Sequence, residues 1–261
     1  MIRSVLRVVS LIVFAMAIAA PAFAQGDEIQ VYDGGLAPVG VLNLTWHNNF
    51  TPKGIKTPAF PGAITSHKSF NGVTEWALGV TDWFEAGLYM PLYSHDDALG
   101  WKVDGFKLRT LFALPDGADR NFVLGANVEY SYNATYWDDK RFTSEVRPIV
   151  GWHLNQVDLI FNPIVDTRYD GLKNLEFVPS MRFAYNTSPR WAMALEEYAD
   201  YGIVSDLQSG GNQAHQIFGV VNYTGAFEIE AGLGVGLTDA SDRLQFKVIV
   251  ARDLNKPRVR P

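Results

Sequence analysis

From about residue 39 onward the chain alternates apolar and polar residues with a period of two, as a strand does when its two faces meet different surroundings. In the stretch Phe122 to Tyr130, one face is Phe122, Leu124, Ala126, Val128 and Tyr130, and the other is Val123, Gly125, Asn127 and Glu129. The pattern recurs at 226–237, where Phe227, Ile229, Ala231, Leu233 and Val235 alternate with Glu228, Glu230, Gly232 and Gly234. It predicts twelve strands: 39–48, 68–80, 83–93, 103–114, 121–133, 141–154, 156–166, 173–187, 189–201, 214–224, 226–237 and 241–252. Most are ten residues or longer, against about 5–6 for a typical globular strand. About 9–11 residues carry a tilted strand across a bilayer. The connections sort by parity. Those after odd-numbered segments are mostly long (49–67, 94–102, 134–140, 167–172, 202–213), and those after even-numbered ones are mostly short (81–82, 115–120, 155, 188, 225). Outer-membrane barrels pair long outer loops with short periplasmic turns in this way, whereas a soluble sandwich has no reason to. The expected fold is therefore all-β: a transmembrane antiparallel up-and-down β-barrel of about 12 strands, with both termini in the periplasm.

Aromatic residues make up 13% of the chain and charged residues only 19%. A barrel wall explains this balance. Trp83, Phe84, Trp152, Trp191, Tyr223 and Phe227 lie beside the short turns, and Trp101 and Trp137 towards the long loops. Two bands of rings at the strand ends form the girdle that two membrane–water interfaces select. Outer-membrane lipid is the first expected partner.

The first residues read as an address. Arg3 and Arg7 form a basic start, Val8 to Ala20 is an apolar run broken only by Ser10, and Ala22-Phe23-Ala24 is a small-x-small cleavage pattern. Residues 1–24 are expected to be a signal peptide that carries the chain through the inner membrane to the cell outer membrane. Its removal takes two of 22 bases and none of the 28 acids, which leaves 20 against 28 and a net charge of −8. An acidic balance argues against nucleic acid as a partner. The absence of Cys excludes thiolate metal sites and Cys nucleophiles. Residues 25–36 form a segment that either hangs in the periplasm or folds up as a plug; 37–254 form the barrel and 255–261 a C-terminal tail.

With the apolar face towards lipid, the opposite face lines the lumen. The expected selectivity residues are Glu75, Glu85, Lys107, Arg109, Glu129, Arg141, Glu145, Arg147, Asp158, Glu176, Arg182, Glu196, Glu228, Glu230, Arg243 and Lys247. Two readings are open: the charges pair and fill a narrow barrel, or they form an electrostatic screen for a passing solute. Prolines 91, 148, 163 and 179 fall within predicted strands, where each removes a ladder donor. Pro148 and Pro163 should face each other across the hairpin at Asn155, with Pro179 on the next strand. They mark either bulges that set curvature or a lateral seam through which an apolar solute leaves into the membrane. His95-Asp96-Asp97 is a loop cluster without a nucleophile elbow or a HExxH helix around it. No catalytic residue, metal or cofactor is expected, and the chain is not expected to be an enzyme.

At Glu28-Ile-Gln-Val-Tyr-Asp33, Asn43-Leu-Thr-Trp-His-Asn-Asn49 and Glu75-Trp-Ala-Leu-Gly-Val-Thr-Asp-Trp-Phe-Glu-Ala-Gly-Leu-Tyr89, the chain resembles proteobacterial outer-membrane proteins grouped with the phenol-degradation MetA-pathway transporters. The resemblance implies transport of small, often aromatic molecules, and it carries over no functional residue. In one respect the chain departs from outer-membrane barrels at large, which commonly end on an aromatic residue read by the assembly machinery. Here a basic tail, Asn255 to Pro261, follows the last strand, so either the signal is internal or assembly differs. The expected function is an outer-membrane channel for passive passage of small aromatic or hydrophobic solutes. The rival is a structural or adhesive barrel with a closed, charge-paired lumen, binding through loops 49–67 and 202–213.

Overall fold

The computed structural model describes residues 28–115 and 121–257. The signal peptide expected at 1–24, the start of the 25–36 segment and the end of the 255–261 tail lie outside the described residues. Twelve strands span the wall: β1 (Leu42–Lys53), β2 (Ser69–Gly79), β3 (Phe84–Asp96), β4 (Gly100–Val103 and Phe106–Ala113), β5 (Phe122–Tyr132), β6 (Phe142–Leu154), β7 (Val157–Asn162 and Val165–Thr167), β8 (Glu176–Phe177 and Ser180–Ser188), β9 (Trp191–Asp200), β10 (Ala214–Thr224), β11 (Glu228–Gly236) and β12 (Leu244–Asp253). Each pairs antiparallel with its sequence neighbour. β1 also pairs with β12, from Asn43 opposite Asp253 to Lys53 opposite Leu244, and this closes the barrel. Closure leaves no edge strand, so the wall's backbone donors and acceptors find partners within it, as hydrocarbon demands.

The period-two pattern becomes the two faces of this wall. On β1 and β12, Trp46, Phe50, Phe246 and Val248 point outward and stay exposed, while His47, Asn49, Gln245 and Lys247 point inward and are buried. Large exposed apolar side chains run around the whole circumference, including Leu108, Leu124, Phe183, Leu195 and Leu233. A contiguous apolar exterior of this kind fits lipid rather than water as the outer solvent. β1 starts three residues later and ends five residues later than its pattern predicts. The polar pairs Asn48-Asn49 and Thr51-Pro52 hide a strand that continues past the bilayer and pairs with β2 up to Thr51 opposite Ser69.

Rings gather at both ends. At the turn end, Trp83 and Phe84 stack with Phe112, with Phe84 and Phe112 centroids 4.9 Å apart. There too Trp152 meets Phe122, Trp191 meets Tyr223 at 4.9 Å, and Phe227 lies under the Arg252 guanidinium. At the loop end, Phe106, Tyr132 and Phe142 form a row across β4, β5 and β6, and Trp101 packs against Phe70. Trp137 is a correction. It sits on the 133–141 loop and turns inward over the mouth, beside Thr51, Ile64, Asn71 and Gln245, not in the outer girdle. A loop residue has no strand parity to fix its direction, so ring type alone misplaced it.

An arginine in place of Leu233, outward-facing near the middle of β11, should cost about 2–4 kcal/mol of folding stability. Denaturant titration of the protein in phospholipid vesicles measures this.

Candidate functional site: the lumen and its N-terminal segment

Residues 28–37 run inside the barrel. The chain enters at the turn end, where Val39 bridges to Gly79 at the end of β2 and Gly40 N–H donates to Gly79 O at 2.7 Å. A Cβ on Gly79 would stand 2.1 Å from the Ala37 carbonyl oxygen, so this crossing requires glycine. From there the segment climbs, burying Tyr32, Val31, Ile29 and Glu28 in turn. Val31 and Tyr32 pack on Leu111, Val123, Ile149 and Ile160, and Ile29 packs on Ala184, Ala194, Phe218 and Val220. These apolar residues sit among charges on the inner face, where only another piece of protein can cover them.

The polar contacts hold the segment from opposite walls. The Asn162 side chain accepts from Tyr32 N–H at 2.8 Å and donates to Tyr32 O at 2.9 Å, so it mimics a strand partner. Arg147 donates to Gln30 O at 3.0 Å, and Lys247 to Ile29 O at 3.1 Å. Ala37 N–H donates to Glu85 at 2.5 Å. The Tyr32 ring lies between two guanidinium groups, Arg147 at 4.3 Å and Arg109 at 5.6 Å from its centroid, and its hydroxyl meets that of Tyr89. Cations over a desolvated ring attract it electrostatically.

The lumen charges form paired clusters. Arg109 contacts Glu75 at 2.7 Å and also Glu85, and His47 contacts Glu75 at 3.1 Å. Lys247 lies 2.5 Å from both Glu196 and Glu230. Arg182 contacts Glu196, Glu230 at 3.3 Å and the Asn222 side chain at 2.6 Å. Arg147 grips Glu145 through two nitrogens, at 2.6 and 3.2 Å. Lys107 lies 3.8 Å from Glu129, which also accepts from Asn127 at 2.9 Å. Asp158 accepts from Asn186 at 2.8 Å and meets His153 at 2.7 Å. Glu176 stands half-buried on β8, and Glu228 is exposed at the turn-end rim. Two expected lumen residues lie elsewhere. Arg141 is on the loop side with Asp104 at 3.4 Å, and Arg243 is exposed with Asp239 at 2.5 Å. Both lie just before a strand begins, where the inner parity no longer points into the barrel.

The segment divides the interior. On its turn-end side a cavity of about 650 Å³ is lined by Asp33, Arg109, Asp158, Arg182 and Glu230, among others. On its loop-end side a cavity of about 80 Å³ lies between Glu28, Gln30, Glu145, Arg147, Asp166 and Glu176. The loop-end mouth is covered by residues 54–68. Ile64 is buried and donates its N–H to Tyr136 O at 2.9 Å, and Ile55 N–H donates to Asp242 at 2.8 Å. Asp242 also receives the Ser66 hydroxyl, and burial pushes its carboxyl above the ordinary range. Tyr136 on the facing loop is pushed up to about 12, by burial first and then by the Asp104 carboxylate.

The three prolines line up. Pairs Val146–Val165 and Val150–Phe161 flank a stretch of β6 and β7 in which residues 147–149 and 162–164 make no ladder pairs with each other. Three residues lie between the flanking pairs on each strand, so the register places Pro148 opposite Pro163. Similarly, Phe177–Val165 and Ser180–Asn162 place Pro179 beside Pro163 on β8, where Val178 N–H to Ile164 O at 3.1 Å crosses the gap. The register is the same on both sides, so no inserted residue causes the interruption, as it would in a bulge.

Sequence reasoning missed Tyr32, His47, Tyr89, Asn162 and Tyr198 as lumen residues. The last four occupy inward positions of strands already recognised, and a search for polar and aromatic groups on that parity finds them.

No protein-family model and no curated protein matches the sequence. Two of the solved structures that match its fold show the likeness. One is an outer membrane channel from Pseudomonas putida F1, with 16% identity, a TM-score of 0.57 and coverage of 87% of this chain and all of that one. The other is the NanC porin, with 9% identity, a TM-score of 0.52 and coverage of 82% of this chain and all of that one. The chain has the fold of an outer-membrane β-barrel.

Truncating Lys247 to Met leaves the buried Glu196 and Glu230 with Arg182 as their remaining shared cation and should cost about 3–5 kcal/mol. Arg243→Met, on the exposed rim, should stay within about 0.5 kcal/mol of the wild type. Denaturant unfolding of the two variants side by side tests the difference.

Proposed function

We propose that the protein is an outer-membrane channel for small hydrophobic or aromatic solutes, a transporter of the phenol-degradation MetA-pathway kind, exported by a cleaved signal peptide. Short turns and the C-terminal end of β12 face the periplasm, and the N-terminal segment runs from that side up into the barrel. The fold shared with a bacterial outer membrane channel and a porin supports the class. The inner architecture supports the route.

Passage straight through the barrel meets the 28–37 segment, which acts as a plug tied to the wall at Asn162, Arg147, Lys247 and Glu85. Passage sideways meets much less. The loop-end cavity is lined by Ile164 and Val178, the residues at the gap beside Pro163 and Pro179. A solute that reaches this cavity from the outer mouth is separated from lipid by a stretch of wall whose ladder bonds are already missing. The carrying observation is this coincidence of cavity and proline row. The charge pairs below it hold the plug and exclude polar solutes from the axis.

The chain contains no Cys, so a staple beside the gap is unambiguous. Residues directly opposite in an antiparallel pair have Cβ atoms about 4.5–5.5 Å apart, close to the reach of a disulfide. The Val146→Cys, Val165→Cys protein, stapled at the pair that borders the gap so that all three prolines stay in place, should take up toluene more slowly in proteoliposomes when oxidised than when reduced. Uptake that is equal in the oxidised and reduced forms removes the lateral route. Absence of uptake by the wild type as well favours the structural or adhesive barrel.

A further inference from the structure

The small cavity above the plug has a chemistry of its own. Five carboxylates, Glu28, Glu145, Asp166, Glu176 and, towards the mouth, Asp242, stand around it with one cation, Arg147, which is already gripped by Glu145. Glu28 is 3% exposed, yet neither of its carboxylate oxygens has a hydrogen-bond partner among the described residues, and Arg147 reaches only to 3.9 Å. One oxygen of Asp166 is likewise buried without a partner among the described residues. A carboxylate removed from water without donors is costly, and a bound cation that supplies donors relieves that cost.

The cation's kind follows from the walls. Among the described residues no group of three His, Cys, Asp or Glu is spaced to hold a metal ion. The acids therefore suit a bulkier cation that brings its own hydrogens. A primary ammonium presents three N–H donors at one point, enough to reach more than one carboxylate. The remaining wall is mixed, with polar Gln30, Gln216, Ser241 and Gln245 and an apolar part made by Ile29, Ile55, Ile164 and Val178, and two of these last border the proline gap. An alkyl chain attached to the ammonium has an apolar surface to lie against and a way out towards lipid.

We infer that the loop-end cavity is a binding site for the head group of a primary alkylamine, with Glu28 and Asp166 as its carboxylate acceptors. This rests on the channel reading above and adds cationic amphiphiles to its solute class. The plug then has a second use: it carries Glu28, one of the ligands, into the site.

Isothermal titration of the full mature protein in a nonionic detergent, with hexylammonium chloride as probe and hexanol and hexanoate as controls, tests the inference. Hexylammonium should bind at least about tenfold more tightly than either control, the ratio expected for one hydrogen bond to a charged group. Glu28→Gln and Asp166→Asn should each weaken it by a similar factor. Glu28 lies outside the strands, so its variant leaves the wall intact, and heat-modifiable migration on gels verifies this for both. Equal binding of hexanol and hexylammonium, or undiminished binding by both variants, overturns the inference. Toluene uptake by wild-type proteoliposomes separates the two readings. Uptake without ammonium preference discards only the amine site, and its absence discards the channel.

Discussion

A backbone in hydrocarbon must hydrogen-bond to itself, and the rest of this structure follows from that requirement. The requirement closes twelve strands through the β1–β12 pairing. Closure gives the wall one face in lipid and one in an enclosed interior. The polar half of every strand is thereby forced into a narrow space, where charges cannot keep their full hydration. Each must find an opposite charge or a donor, and the structure shows how: Arg109 between two glutamates, Lys247 between two more, and Arg182 shared with the same pair. Such clusters add little net stability over an apolar filling, but they are severely weakened when one member is lost. Their value here lies in the positions they fix. The carbonyls of Ile29 and Gln30 are bound by Lys247 and Arg147, cations already held in place by the wall.

Much of this is legible in the residues. Strand identity, loop parity and the outer face come from period-two alternation, because a closed wall in lipid leaves few exceptions to it. Fourteen of the sixteen lumen charges assigned by parity line the interior for the same reason. Where parity ends, the sequence loses its grip. Trp137, Arg141 and Arg243 lie beyond strand ends, and there a side chain's direction is set by loop packing that spacing does not encode. The path of residues 28–37 is a different case. Ile29 and Val31 alternate with Glu28 and Gln30 as in any strand, but the segment is held by side chains such as Asn162, on Tyr32, rather than by a ladder. Only the assembled interior shows which partners lie opposite them.

The proline row joins sequence to function most directly. Three residues far apart in the chain, each costing a ladder donor, fall on one line across β6, β7 and β8 without a change of register. The stretch without β6–β7 ladder pairs thus lies beside the loop-end cavity, while residues 28–37 cross the axis.

The central claim is that residues 28–37 close the axis. Planar-bilayer conductance of the intact mature protein, set against the same protein lacking residues 28–36, tests it most directly. The account predicts small or absent steps for the intact protein and larger, discrete steps once the segment is removed, with folding verified by heat-modifiable migration. Equal conductance from both proteins would contradict it.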